Sequence, residues 1–213
     1  MSPIQFFLRH HREILQATAE HVWLVGLTMI FAIAIGVPLG ILVTRKPWLS
    51  KPILGGANIA ETIPSLALFG FLLPVPWLGG RADRLAIAAL TLYALLPIIR
   101  NTSAGILGVD RAVREAARGM GMTDRQILFQ VELPLSFSTM LAGIRIATVL
   151  TIGIATIAAA VGAGGLGEFI FRGLAMVNDQ LILAGAIPAA LLALAADFVL
   201  GVLERRLRPV RWD

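Results

Sequence analysis

Apolar residues in this chain come in long runs rather than in the alternation of a half-buried strand. Residues 22–43 carry no charge, 53–73 carry only Glu61, and 84–100 are charged only at their ends, Arg84 and Arg100. Residues 140–163 contain only Arg145, and 180–203 only Asp197. A helix needs about 20 residues to cross a hydrocarbon core of roughly 30 Å. The pattern therefore predicts an all-α membrane protein with five spans at those positions, forming one transmembrane domain over residues 1–213. Residues 1–21 hold Arg9, His10, His11, Arg12, Glu13 and Glu20. They are too charged for a cleaved leader, and the apolar run that follows is long enough to span. This segment is expected outside, with residues 4–19 as an amphipathic surface helix or a solvated tail.

Composition agrees with the pattern. Hydrophobic residues make up 57% and charged residues 15%, against about 25% charged in an average soluble domain. There is no cysteine, which excludes disulfides and thiolate metal sites. The net charge of +5 points to membrane topology rather than to nucleic acid. If the loop between spans three and four is cytoplasmic, one side holds Arg45, Lys46, Lys51, Arg100, Arg111, Arg114, Arg118, Arg125, Arg145, Arg205, Arg206, Arg208 and Arg211. The other side holds only Arg9, Arg12, Arg81, Arg84 and Arg172. The positive-inside rule then places the N-terminus outside and the C-terminus in the cytoplasm. Trp23, Trp48, Trp77 and Trp212 all flank predicted spans, at the level where indole rings favour headgroups.

The longest polar interval lies between spans three and four and folds locally by rule. Asp110 is a helix N-cap. Gly119 and Gly121 end that helix. Thr123 and Gln126 form a capping box that starts a second helix, and Pro134 is expected to end it. The result is a helical hairpin over about 108–135. Ala116 and Ala117 give its first helix a low profile. It either enters a groove on a partner or stands as a solvated hairpin.

Other polar groups support little chemistry. Glu61 lies eight residues into span two, roughly 12 Å deep at 1.5 Å per residue. Pro64 should kink the helix beside it. Ionisable groups inside spans usually face a bundle interior or a wet cavity, so Glu61 and Pro64 are the candidate pathway residues. A buried carboxyl that only aids packing is the other reading. Arg145 and Asp197, near the cytoplasmic ends of spans four and five, could pair or could each snorkel to the surface, and separate snorkelling is the expectation. Gly162–Gly167 lacks the Lys-Ser/Thr ending of a phosphate loop and reads as a tight outer turn. No catalytic set, metal site or cofactor site is visible, so the chain is not expected to be an enzyme.

The hairpin also carries a resemblance. Glu115, Ala116, Ala117, Gly121, Val131, Leu133 and Pro134 stand at the spacing of the EAA loop of binding-protein-dependent ABC importer permeases, with Val131 where isoleucine is usual. Segments beginning at Glu61, Leu92, Gly162 and Phe171 are similar to permeases for glycine betaine, carnitine and choline, with Glu61 where many have glutamine. The resemblance covers about residues 20–205. It implies a five-helix permease core with a cytoplasmic coupling helix between the third and fourth spans. Glu115, Ala116, Ala117, Gly121, Leu133 and Pro134 would couple to an ATPase. It also implies the bacterial inner membrane, an extracytoplasmic substrate-binding protein, two ATP-binding cassette subunits that carry the ATP, and a second permease, identical or homologous. A methionine-like amino-acid permease shares the loop and is the alternative. An ion-coupled secondary transporter would need an internal repeat, and none is seen.

Overall fold

In the computed structural model, which describes residues 3–207, the described residues are mostly helical and include no strand. Four long helices have the length and composition to cross a membrane: α1 (Pro3–Arg45), α4 (Ala82–Leu107), the continuous run Asp124–Ala155, and α9 (Asp179–Arg206). A fifth candidate, α2 (Pro47–Thr62) with α3 (Ser65–Leu72), is apolar enough only as a pair and is bent by 105° at their junction, as a broken span or a re-entrant loop is.

The helix carrying the first apolar run does not begin at residue 22. It starts at Pro3 and runs 43 residues, with a local irregularity at His10. Its buried positions, Phe6, Ile14, Ala17, His21, Leu24, Val25, Thr28, Met29 and Ala32, mostly recur every three or four residues and so share one helix face. Phe6, Ile14 and Ala17 join a cluster with Leu166, Phe169, Leu181 and Ala184. Residues 6–17 are thus an amphipathic helix with a packed apolar face, not a solvated tail, because their apolar stripe continues that of the span.

The second crossing breaks where Pro64 was expected to kink it. Ile63 and Pro64 are both extended, with ψ of 129° and 136°, as the steric demand of a proline ring on its predecessor requires. The break strands the Ile63 carbonyl, and the hydroxyl of Tyr93 donates to it. Tyr93 is the sole tyrosine. A straight rod over 53–73 is therefore not what forms, and a depth for Glu61 counted along such a rod does not carry over.

Helix α4 is the most buried of the long helices and α9 the least. Close approach of helices around α4 depends on glycine. A Cβ at Gly40 of α1 would lie 2.6 Å from Thr102 Cβ, and one at Gly143 would lie 2.4 Å from Asn101 Cβ. Small residues at such crossings let backbones approach where lipid supplies no hydrophobic drive between helices. The core contains Leu24, Ala32, Phe69, Ala86, Leu90, Ile98 and Ala147.

Beyond the 155th residue come a short tight helix (Ile157–Val161), a glycine turn and α8 (Gly167–Met176). Gly162, Gly164 and Gly165 all have φ near 80°. The turn rests on α1: Gly165 N–H donates to Glu20 Oε2 at 3.3 Å, and His21 Nε2 lies 3.1 Å from the carbonyl of Ile152.

Arg145 does not snorkel apart from Asp197. Its Nε lies 3.7 Å from Asp197 Oδ1 and 3.6 Å from Glu204 Oε2. The acids belong to α9 and lie seven residues apart, two helical turns on one face, so one guanidinium serves both.

Candidate coupling hairpin

The polar interval between α4 and α7 (Leu133–Ala155) forms α5 (Arg111–Gly119), a turn, and α6 (Asp124–Ile127). Each boundary has a local cause. Asp110 Oδ1 accepts from Ala112 N–H at 2.8 Å, satisfying one of the free donors at the start of α5. At the other end Gly121 takes φ +81°. Met122 N–H donates to Ala117 O, and Gly121 N–H to Arg118 O. This pair of bonds is a Schellman motif, which needs a residue at ease in the left-handed region. Thr123 and Gln126 make the reciprocal capping box: Thr123 N–H donates to Gln126 Oε1 at 2.8 Å.

Pro134 does not end the second helix. A π-helical turn, Leu128–Glu132, joins α6 to α7, and the run Asp124–Ala155 is continuous. Leu133 keeps α-helical angles although a proline follows it, and its N–H reaches back five residues to Leu128 O. The change of register puts Pro134 in the first turn of α7, where its missing N–H and fixed φ suit a helix start.

The structure divides the residues that resemblance groups together. Glu115, Ala116 and Gly121 are exposed, and so is Pro134, but Ala117 is buried at 1% exposure and Leu133 is half-buried. Glu115 is held by Arg111 one turn earlier, Nε–Oε1 2.7 Å. On α5 and the turn that follows it, Val113 and Met120 also present large apolar side chains, at 41% and 75% exposure. Leu133 and Pro134 lie elsewhere, in a shallow groove with Val37, Phe129, Phe137 and Met140. The exposed face of α5 and its glycine turn is thus one surface, and the Leu-Pro pair sits where the hairpin enters the bundle.

Three residues that sequence reasoning missed anchor the hairpin. Glu132, in the π turn, is 1% exposed. Arg45, the last residue of α1, donates to Glu132 Oε2. Arg114 of α5 faces its other oxygen, Nη1–Oε1 4.0 Å. Arg114 also donates from Nη2 to Val109 O at 2.7 Å and to Leu107 O at 3.3 Å, capping the end of α4. A buried carboxylate needs such partners. Its only sequence signal is an acid in an apolar stretch just before Leu-Pro, and neither arginine lies at helical spacing from it.

The candidate pathway residues are elsewhere. Glu61 and Pro64 are exposed at the broken end of α2. Asn58, one turn before Glu61, is exposed and accepts from Arg100 Nη2 of α4 at 3.2 Å. Asn58, Glu61, Thr62 and Arg100 make a polar face that the chain leaves uncovered among its described residues.

Comparison with known proteins agrees with this architecture. Residues 36–209 match the family of binding-protein-dependent transport system inner membrane components. The carnitine transport permease protein OpuCB of Listeria monocytogenes is 45% identical over 206 residues, covering 97% of this chain and 93% of that protein. The osmoprotectant import permease protein OsmW of Salmonella typhimurium is 42% identical over 211 residues, 98% of each. The fold is similar to that in an inward-facing structure of the MetNI methionine ABC transporter, with a TM-score of 0.84 and 24% identity over 99% of this chain and 100% of that one. The chain belongs to the binding-protein-dependent transport system inner membrane component family, as a multi-pass membrane permease of an importer.

Proposed function

We propose that this chain is one of a pair of permeases in an ATP-driven importer for a small quaternary ammonium osmoprotectant such as glycine betaine, choline or carnitine. The observation that carries the reading is the hairpin. Its caps and glycine turn present Glu115, Ala116 and Gly121 beside exposed Val113 and Met120. Apolar side chains on a capped polar hairpin suit a groove on another protein. That protein is an ATP-binding cassette subunit, and the hairpin is its point of attachment. Closing of two such ATPases on ATP moves both hairpins together and opens the paired permeases outward. Hydrolysis returns them.

Orientation follows from charge. The hairpin end of the bundle carries most of the lysines and arginines, so it faces the cytoplasm of a bacterial inner membrane. The glycine turn at residues 162–165 then lies outside, where an extracytoplasmic binding protein docks. Trp23 and Trp77 share a groove with Asp83 and Arg84, consistent with one outer border.

The uncovered polar face of Asn58, Glu61, Thr62 and Arg100 supports a pathway between two permeases, since polar groups facing lipid are costly. A quaternary nitrogen has no hydrogen to donate, so it is recognised by aromatic faces and carboxylates. Tyr93 is occupied with Ile63 O and Trp23 and Trp77 sit on the outer groove. Tight recognition therefore belongs to the binding protein, and Glu61 supplies a weak attraction along the path. The methionine-like fold raises an amino-acid substrate as the second reading. The names of the two permease relatives favour the osmoprotectant class.

The test is the double substitution Glu115→Ala with Gly121→Asp. Loss of ATPase association, or of transport coupled to it, is expected in purified complexes. Normal association and transport would refute the hairpin's role.

A further inference from the structure

The sequence places Glu132 in the hairpin's second strand of helix, but the fold places its carboxylate between two arginines from different elements. Arg114 belongs to the hairpin and is fixed to the end of α4 through Leu107 O and Val109 O. Arg45 belongs to α1, whose direct connection to the hairpin is otherwise slight. Glu132 is nearly fully buried, so water does not compete strongly for the contact. It sits in a π turn, a helical irregularity frequent at functional sites.

The other end of α1 is also tied down. From His21 to Arg45 the helix runs about 36 Å at 1.5 Å per residue. At the far end Glu20 and His21 hold the glycine turn and the end of α7. Between the two ends, Gly36 and Gly40 press α1 so close to α4 that a Cβ would meet Ile98 and Thr102 below 3 Å. A helix gripped at both ends and packed along its length moves as a rod.

We propose that the Arg45–Glu132–Arg114 cluster makes α1 part of the coupling path, so that motion of the hairpin pulls the first helix and, through it, the glycine turn on the opposite face. Glu132 and Arg45 are positioning residues in this scheme. The scheme rests on the hairpin being the ATPase attachment described above. Close-packed elements can carry small shifts over long distances.

The experiment uses the complete importer, with this permease, its ATPase and its binding protein in liposomes. Substrate imported per ATP hydrolysed and stimulation of hydrolysis by the loaded binding protein are measured for Glu132→Gln and Arg45→Gln. Both variants should assemble and hydrolyse ATP, while import per ATP falls roughly 2- to 30-fold, the range of mutations along coupled networks. Arg45→Lys, which keeps a cation, should recover part of the loss. A merely stabilising ion pair would instead lower the amount of complex and leave import per ATP unchanged, and that result overturns the proposal. If Glu132→Gln fails to assemble, Arg45→Gln decides by the same two results, since Glu132 keeps Arg114. Absence of ATP-driven import by the unaltered complex would overturn the importer reading itself, and this proposal with it.

Discussion

Glu61 tests the pathway at the scale of one residue. It stands exposed at the end of α2, three residues from Asn58, which holds Arg100. A carboxylate there is compatible with a membrane only if water or a second subunit covers it. Glu61→Gln is therefore expected to keep transport but to change substrate preference, lowering the advantage of cationic choline over zwitterionic betaine in competition uptake. Unchanged rate and unchanged preference would make Glu61 a packing residue. Single residues were legible in the sequence wherever the physics is local. Asp110, Thr123 and Gln126 were readable as caps because a cap bonds within three residues. Glu132 was not, because Arg45 lies 87 positions away and only the folded bundle brings them together. Ala117 shows the converse: it matches a motif position yet faces inward, since motif spacing does not say which side of a short helix is covered.

At the scale of elements, two prolines behave oppositely for physical reasons. Pro64 breaks α2 from α3 because its ring holds Ile63 in extended backbone, and Tyr93 satisfies the carbonyl that the break strands. Pro134 passes within a continuous helix because the π turn shifts the hydrogen-bond register just before it. The expectation of a stop at Pro134 came from local sterics alone and had no access to the π turn. Likewise, hydropathy marked where the first span is apolar but not where its helix starts, because Phe6, Ile14 and Ala17 are buried by α8 and α9. The glycines of α7 offer a paired test. A Cβ at Gly143 would lie 2.8 Å from Pro97 O as well as against Asn101, whereas one at Gly153 meets nothing within 4 Å. Gly143→Val should cost about 1–3 kcal/mol through overpacking. Gly153→Ala should be neutral or gain up to about 1 kcal/mol in helix propensity. Thermal unfolding in detergent compares the two, and equal melting temperatures would show that α4 and α7 do not cross as closely as described.

In the proposed importer this molecule is one part of the transporter. Its least buried long helix, α9, exposes Leu191, Leu194, Phe198 and Val199, and its polar α2 face is open among the described residues, which leaves surface for lipid and for the proposed second permease. The all-helical membrane architecture, with four to five candidate spans, was readable from run length, because hydrocarbon thickness sets that length. The sharpness of the bend between α2 and α3, the early start of α1 and the part Glu204 takes beside Arg145 emerge only from packing. The central claim is that this chain passes a small quaternary ammonium compound under power supplied by a partner ATPase at the hairpin. The most direct measurement is uptake of labelled glycine betaine, choline or carnitine by liposomes holding the permease pair with its ATPase, with binding protein on the same side as the substrate. Uptake that needs ATP on the hairpin side and all three components, and survives collapse of the proton gradient, is the predicted result. Uptake driven by an ion gradient without the ATPase would contradict the account.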